Sequence, residues 1–377
     1  MHVVRSLSRG AWHRLIFGLG LAATPGLAAA EYGLNLQPPV TYLGERIFGL
    51  HNLILVICVI IFVVVFSFMF YSIIVHRKSR GVKPATFHDN VQLEVAWTVV
   101  PFLILVGMAV PSTATLIEMR DTRESDMSVL ITGYQWKWQY QYLDHDVSYF
   151  SALATPRDQI ENRAPKDEHY LLQVDNPLVL PVGKKVRLLL TANDVIHAWW
   201  VPALGTKKDT IPGFINEMWA TIDKPGVYRG QCAELCGKDH AYMPIVVQAV
   251  MPDEFDKWVV AQKGKTAVAA ADAGKTWTMD DLMARGKQVY QQTCAACHGP
   301  NGEGVGPFPK LAGSKIATGP LKGHLDIVLR GKPGTTMQAF GQQLNDVDIA
   351  AVVTHERNSF GNKTGEAVQP AQVKAAR

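Results

Sequence analysis

Residues 53–75 read LILVICVIIFVVVFSFMFYSIIV, residues 95–116 read VAWTVVPFLILVGMAVPSTATL, and neither stretch carries a charge. About 20 apolar residues are enough for a helix to cross a bilayer. A helix apolar on every face has no polar side to turn to water, so the solvent it matches is lipid. The two segments predict membrane helices at about 50–75 and 95–116. The loop between them, HRKSRGVKPATFHDN at 76–90, sets Arg77, Lys78, Arg80 and Lys83 against the single acid Asp89. Such an excess of cations marks the cytoplasmic side, so both ends of the hairpin point out of the cytoplasm. The N-terminus says the same independently. Arg5, Arg9 and Arg14 precede a short apolar core, Leu15 to Ala23, and small residues at Ala28-Ala29-Ala30. That is the pattern of a secretory signal over 1–30, whose removal leaves Glu31 as the first residue.

Everything beyond the hairpin is therefore expected outside the cytoplasm, and it changes composition along its length. With 377 residues the chain needs more than one domain. Its net charge of +4 gives no reason to expect a nucleic-acid partner. From Met127 to Met251 short β-branched runs such as Val129-Leu130-Ile131-Thr132 alternate with turn signals such as Pro181-Val182-Gly183, as in a β-sandwich or barrel. Residues 262–275 have the Ala, Lys, Gly and Asp composition of a linker. A helical pattern follows from Met279 to about Phe360, broken by a Gly/Pro-rich stretch at 299–306. The polar, Ala-rich tail at 362–377 is expected to be disordered. The resulting division is a signal at 1–30, a hairpin at 31–118, a β domain at 119–251, a linker at 252–278, a helical domain at 279–361 and the tail.

Four of the five cysteines form two close pairs, each followed by a histidine. Cys294-Ala295-Ala296-Cys297-His298 is the attachment pattern of a c-type haem. Thiols three residues apart on a helical turn can form thioethers to the vinyl groups of one haem, with His298 beside them as proximal ligand. Met337 is the only methionine after His298 and is the expected sixth ligand, since a thioether suits an electron carrier; His324 and His355 are the rivals. The other pair lies in Gln231-Cys232-Ala233-Glu234-Leu235-Cys236-Gly237-Lys238-Asp239-His240-Ala241-Tyr242-Met243. Thiolates, an imidazole and a thioether so close together select copper over magnesium or calcium. Cysteines four apart can both bridge a pair of ions, and His197, at the end of a strand-like run, can supply the second imidazole. A Cys232–Cys236 disulfide is the alternative in an oxidising compartment, and it leaves His240 and Met243 without a reason.

His197, Cys232, Glu234, Cys236, His240 and Met243, behind a two-helix anchor, resemble subunit II of cytochrome c oxidase, from about Thr41 to Met251. The resemblance implies a transmembrane hairpin and a cupredoxin-like β-sandwich; with the haem-attachment motif and helical pattern beyond it, the chain is expected to be multidomain and to end in an all-α class I c-type cytochrome domain. It implies a binuclear copper centre held by the two cysteines, the two histidines, the methionine and the backbone carbonyl of Glu234. The Glu234 side chain would face a magnesium or manganese ion shared with subunit I. The stretch Tyr134-Gln135-Trp136-Lys137-Trp138-Gln139-Tyr140 resembles the family's aromatic segment, which makes Trp136 the residue through which electrons arrive. Leu93-Glu94-Val95-Ala96-Trp97-Thr98 resembles the start of the second helix, which puts Glu94 near the mouth of a proton-uptake path.

The implied electron order is a periplasmic donor such as cytochrome c, the haem on Cys294 and Cys297, the copper centre, then a haem in subunit I. Oxygen reduction and proton pumping belong to subunit I, with subunit III as a further partner, in the bacterial inner membrane. One departure stands out. Relatives that dock a separate cytochrome carry an acidic cluster, whereas residues 127–250 hold 12 Lys+Arg and 13 Asp+Glu. A tethered cytochrome has a high effective concentration and needs less steering. The alternative functions are an electron-accepting subunit of a nitric oxide reductase and a membrane-anchored copper-binding assembly protein.

Overall fold

Helix α1 spans Tyr42–Val75 and α2 spans Val91–Met119. Both begin earlier than the hydropathy predicts, because caps rather than apolar residues set a helix start. The Thr41 hydroxyl accepts the amide of Gly44, and the Asn90 carboxamide accepts that of Leu93. The computed structural model describes residues 35–84 and 86–377, with 266–270 as backbone only. The expected signal over 1–30 and the terminus at Glu31 lie outside the described residues.

A short turn after α2 leads into ten strands. Strands β1 (Met127–Tyr134), β2 (Lys137–Tyr142), β3 (Val147–Ser151), β5 (Lys185–Ala192) and β8 (Asn216–Thr221) form one sheet in the order β3-β2-β1-β5-β8. Strands β4 (Leu178–Pro181), β9 (Gly226–Gln231) and β10 (Pro244–Val250) form a second, in the order β4-β10-β9. A ribbon pairs β6 (His197–Val201) with β7 (Thr206–Thr210). The single-turn α3 (Arg157–Ile160) lies in the β3–β4 connection. Alternation decides which faces meet. Trp138, Tyr140 and Tyr142 of β2 and Val186, Leu188 and Leu190 of β5 point inward, against Leu178 and Leu180 of β4 and Ile245 and Val247 of β10. The two sheets thus share one core, the arrangement of a sandwich. The hairpin is tied to it where the Thr41 hydroxyl donates to Leu204 and the Trp219 indole donates to the Glu118 carbonyl.

The region expected as a linker is largely helix. α4 runs Pro252–Asp272, and its Phe255 and Val259 are buried in the sandwich core. Alanine and lysine are good helix formers as well as linker residues, and two apolar side chains one turn apart give the helix a face to bury. The helical domain then comprises α5 (Met279–Val289), a π-helical turn (Tyr290–Cys294), α6 (Ala295–His298), α7 (Leu321–Arg330), α8 (Asp346–Asn358) and α9 (Pro370–Ala376). Gly286 lets α5 and α8 touch, since a Cβ there would lie 2.1 Å from the carbonyl oxygen of Ala351. The tail expected to be disordered is ordered. Val368 and Val373 are buried in the helical core, and Arg377 pairs with Asp346. Two valines among polar residues are a weak composition signal, yet a helix needs only one such stripe. Residues 39–377 form one compact unit.

Candidate metal centre and cofactor cavity

Strand β9 ends at Gln231 and β10 begins at Pro244, so residues 232–243 form the loop that joins them. The loop is closed at its base by the Cys232 amide donating to the Met243 carbonyl (3.3 Å), and held to β6 by the Ala233 amide donating to Ala198 (3.0 Å). His197 is the first residue of β6, which brings it to the same end of the sandwich. Cys232 Sγ lies 3.8 Å from Cys236 Sγ, 4.0 Å from His197 Nδ1 and 3.3 Å from the Glu234 carbonyl oxygen. Cys236 Sγ lies 3.4 Å from His240 Nδ1 and 3.5 Å from Met243 Sδ. The six residues expected to bind copper thus converge on one point. The side chains of Glu234 and Leu235 face out of the loop, Leu235 with 78 % of its surface exposed.

The electrostatics favour soft metal ions. His197 is fully buried, and its Nε2–H donates to Asp194 Oδ1 at 2.9 Å, which fixes the tautomer and turns the Nδ1 lone pair toward the sulfurs. Burial alone would lower the pKa of this imidazole, but hydrogen bonds to Asp194 and Cys232 outweigh it and raise the value. Cys232 and Cys236 titrate as a pair: the contact between the two sulfurs favours a single thiolate on Cys232 and holds Cys236 protonated. Two neighbouring thiolates need cationic charge between them, and buried thiolate, imidazole and thioether donors are the set that takes copper. The residues fit the metal.

Trp136 stands beside the centre. Its indole N–H donates to the Cys236 carbonyl at 3.2 Å, and the Gln135 carboxamide donates to the same oxygen at 2.8 Å. Trp136 also lines a cavity of about 1200 Å³, as do Cys294, Cys297, His298 and Met337. The His298 Nδ1–H donates to the Pro309 carbonyl at 2.7 Å, leaving Nε2 free for a metal. A cavity of this size with a fixed imidazole and two thiols fits a covalently held haem. Of the rival ligands, His324 lines the cavity with Nε2 engaged by Glu356 at 2.8 Å. His355 packs instead against Tyr290 and Phe360, with Nδ1 on Ser359.

Glu94 is separate from both sites. It lies exposed in the first turn of α2, whose 29 residues correspond to about 44 Å of helix rise. Sequence reasoning missed Asp194 and Gln135. Asp194, three residues before His197, is a nearby carboxylate that could orient a ligand, and Gln135 adjoins Trp136 in the aromatic segment; their hydrogen bonds to the site depend on the fold.

The fold and the site together define a membrane-anchored, cupredoxin-like protein with a buried cysteine–histidine centre and a C-terminal cytochrome domain. Residues 29–115 match the transmembrane domain, and residues 127–250 the periplasmic domain, of the family described as cytochrome c oxidase subunit II. Residues 281–355 match the family described as cytochrome c oxidase, cbb3-type, subunit III. The probable cytochrome c oxidase subunit 2 of Rickettsia felis is 42% identical over 235 residues, covering 62% of this chain and 73% of that one. The cytochrome c oxidase subunit 2 of Cereibacter sphaeroides is 36% identical over 247 residues, covering 62% and 82%. The crystal structure of the periplasmic domain of subunit II from Bradyrhizobium japonicum is 42% identical, covers 38% of this chain and 98% of that one, and has a TM-score of 0.35. The chain belongs to the cytochrome c oxidase subunit II family. It is therefore a membrane-bound component of the oxidase complex, in a family that implies copper, joined to a domain that implies haem.

Proposed function

We propose that this chain carries electrons from a periplasmic donor, such as cytochrome c, to the haem of oxidase subunit I, where oxygen is reduced to water. The observation that carries the proposal is one shared residue. Trp136 lines the cavity that holds Cys294, Cys297, His298 and Met337, and donates a hydrogen bond to the carbonyl of Cys236.

His197, Cys232, Cys236, His240, Met243 and the Glu234 carbonyl would hold a pair of copper ions. Cys294 and Cys297 would attach the haem, and His298 and Met337 would hold its iron. When bound, these groups supply one-electron redox centres. The chain's own residues do the rest. Burial of His197, Cys232, Cys236 and Met243 keeps water from the copper donors, and a dry, rigid shell limits rearrangement when charge moves. Asp194 holds His197 in one tautomer, and Pro309 does the same for His298. The outward side chain of Glu234 suits a magnesium or manganese ion shared with subunit I. The cation-rich 76–90 loop would lie in the cytoplasm, with the copper and cytochrome domains in the periplasm. Glu94, at the cytoplasmic end of α2, would serve proton uptake. Subunit III is a further partner.

The test is purification of the intact complex from membranes, with copper and haem c analysis and oxygen uptake. A binuclear copper signal, one covalent haem per chain and uptake supported by reduced cytochrome c are expected. Absence of copper, or of oxygen uptake by the intact complex, would overturn the reading.

A further inference from the structure

Asp194 receives four hydrogen bonds, and one of them comes from the cytochrome domain. Its Oδ1 accepts from the Val195 amide at 2.7 Å and from His197 Nε2 at 2.9 Å. Its Oδ2 accepts from the Gln135 amide at 2.8 Å and from the Gln338 carboxamide at 3.0 Å. Gln338 directly follows Met337. The carboxamide is held from behind by Gln343, which donates to Gln338 Oε1 at 3.4 Å and to the Ala339 carbonyl at 2.7 Å. The loop is pinned as well. The Lys332 amide donates to the Met337 carbonyl at 3.1 Å, and the Phe340 amide donates to Val328 at 2.8 Å.

We propose that Gln338 is a positioning residue that ties the loop carrying Met337 to the carboxylate that orients His197. This rests on the reading of Met337 and His197 as metal ligands. Docking of the cytochrome domain and the setting of a copper ligand then become one coupled event. An ionised carboxylate offers about four lone-pair sites, and here all four are used. The Asp194 side chain is 13% exposed, so water has little access to replace a lost donor. A carboxamide completes the carboxylate's partners without adding a positive charge beside the imidazole. The same carboxamide reaches the Gln135 carbonyl at 3.5 Å, so both of its contacts in the copper domain lie beside the centre; elsewhere between the domains Lys238 donates to the Ala296 carbonyl, and the Lys137 ammonium sits 5.7 Å from the Phe340 ring. Loss of a hydrogen bond to a charged acceptor lowers the docking equilibrium by about tenfold or more.

The experiment uses the intact oxidase carrying Gln338→Leu or Gln338→Glu, after copper and haem c have been assayed in the unaltered complex. Absence of either group there would count against the functional reading rather than against this one. The readouts are the rate of electron equilibration between haem c and copper after flash reduction, and the copper hyperfine pattern in electron paramagnetic resonance. Gln338→Leu is expected to slow transfer about tenfold and to alter the hyperfine pattern. Gln338→Glu, which sets two carboxylates against each other, is expected to slow it further. A role confined to folding would lower stability and leave the copper resonance alone. Unchanged transfer and unchanged resonance in both variants would overturn the proposal. Where a variant at 338 does not retain haem, Gln343→Met loosens the carboxamide from behind, and the same two readouts decide.

Discussion

A single methyl group at Gly133 should disturb the copper ligands while sparing the rest of the molecule. Gly133 lies in β1, paired with Trp138 of β2 and Ala192 of β5. Its backbone is ordinary strand, so alanine there carries no conformational penalty and loses some unfolded-state entropy. The effect of Gly133→Ala is therefore steric. The new Cβ would lie 2.7 Å from His197 Cδ2, 3.1 Å from His197 Cγ and 3.0 Å from Thr210 Oγ1, whereas ordinary contact begins at 3.4 Å. The imidazole must retreat by about 0.7 Å, and little around it can give. It is buried, edge-on to Trp138 at 5.9 Å between centroids, and tied to Asp194. Overpacking of this kind costs about 1–3 kcal/mol. Borne by the copper-bound state, that is about a five- to 150-fold loss of copper affinity. The assay is competitive copper titration against a chelator on the full chain, with the copper absorption spectrum recorded alongside. Haem c absorption serves as an internal control on a different domain. Copper affinity and spectrum equal to those of the unaltered chain would refute the reasoning.

Trp136→Phe removes one of two donors to the Cys236 carbonyl. It should lower the thermal stability of the copper domain by about 1 kcal/mol, keep copper bound, and slow haem-to-copper electron transfer in flash kinetics; an unchanged rate would remove Trp136 from the path. Truncation after Gly365 deletes Val368 and Val373, which are 1% and 0% exposed. At about 1.5–3 kcal/mol for each buried valine, the cytochrome domain should lose several kcal/mol in denaturant titration, and no loss would show the tail to be dispensable. Burial lowers the Lys137 ammonium from 10.5 to about 8, against the opposing charges of Asp175 and Asp194. Between these values the unfolded chain binds more protons than the folded one, so stability should rise as pH climbs from about 8 to 10.5. Lys137→Met should flatten that part of the stability–pH curve, and a slope equal to that of the unaltered chain would show that Lys137 is not its source.

Patterns confined to a few turns of chain are legible in the sequence by itself. Two uncharged segments of membrane length have one stable environment, and the cationic loop between them carries the expectation of their orientation. Cys294, Cys297 and His298 lie within about one helical turn, so their spacing alone carries the expectation of haem attachment. The loop from Cys232 to Met243 likewise carries most of its donor set in adjacent residues. Composition misled where a weak apolar stripe was enough. Phe255 and Val259 anchor a helix in the stretch expected as linker, and Val368 and Val373 order a tail expected to be loose, because burial is decided by the surface a segment meets. What only the tertiary structure decided lies at long separation. His197 reaches Cys232 because β6 begins where β9 ends, at the same side of the sandwich. Gly133 makes room for its ring. Asp194 meets Gln338 across 144 residues of chain. Contacts of that range leave no periodicity in the sequence, since they depend on how whole sheets and domains come to rest against one another.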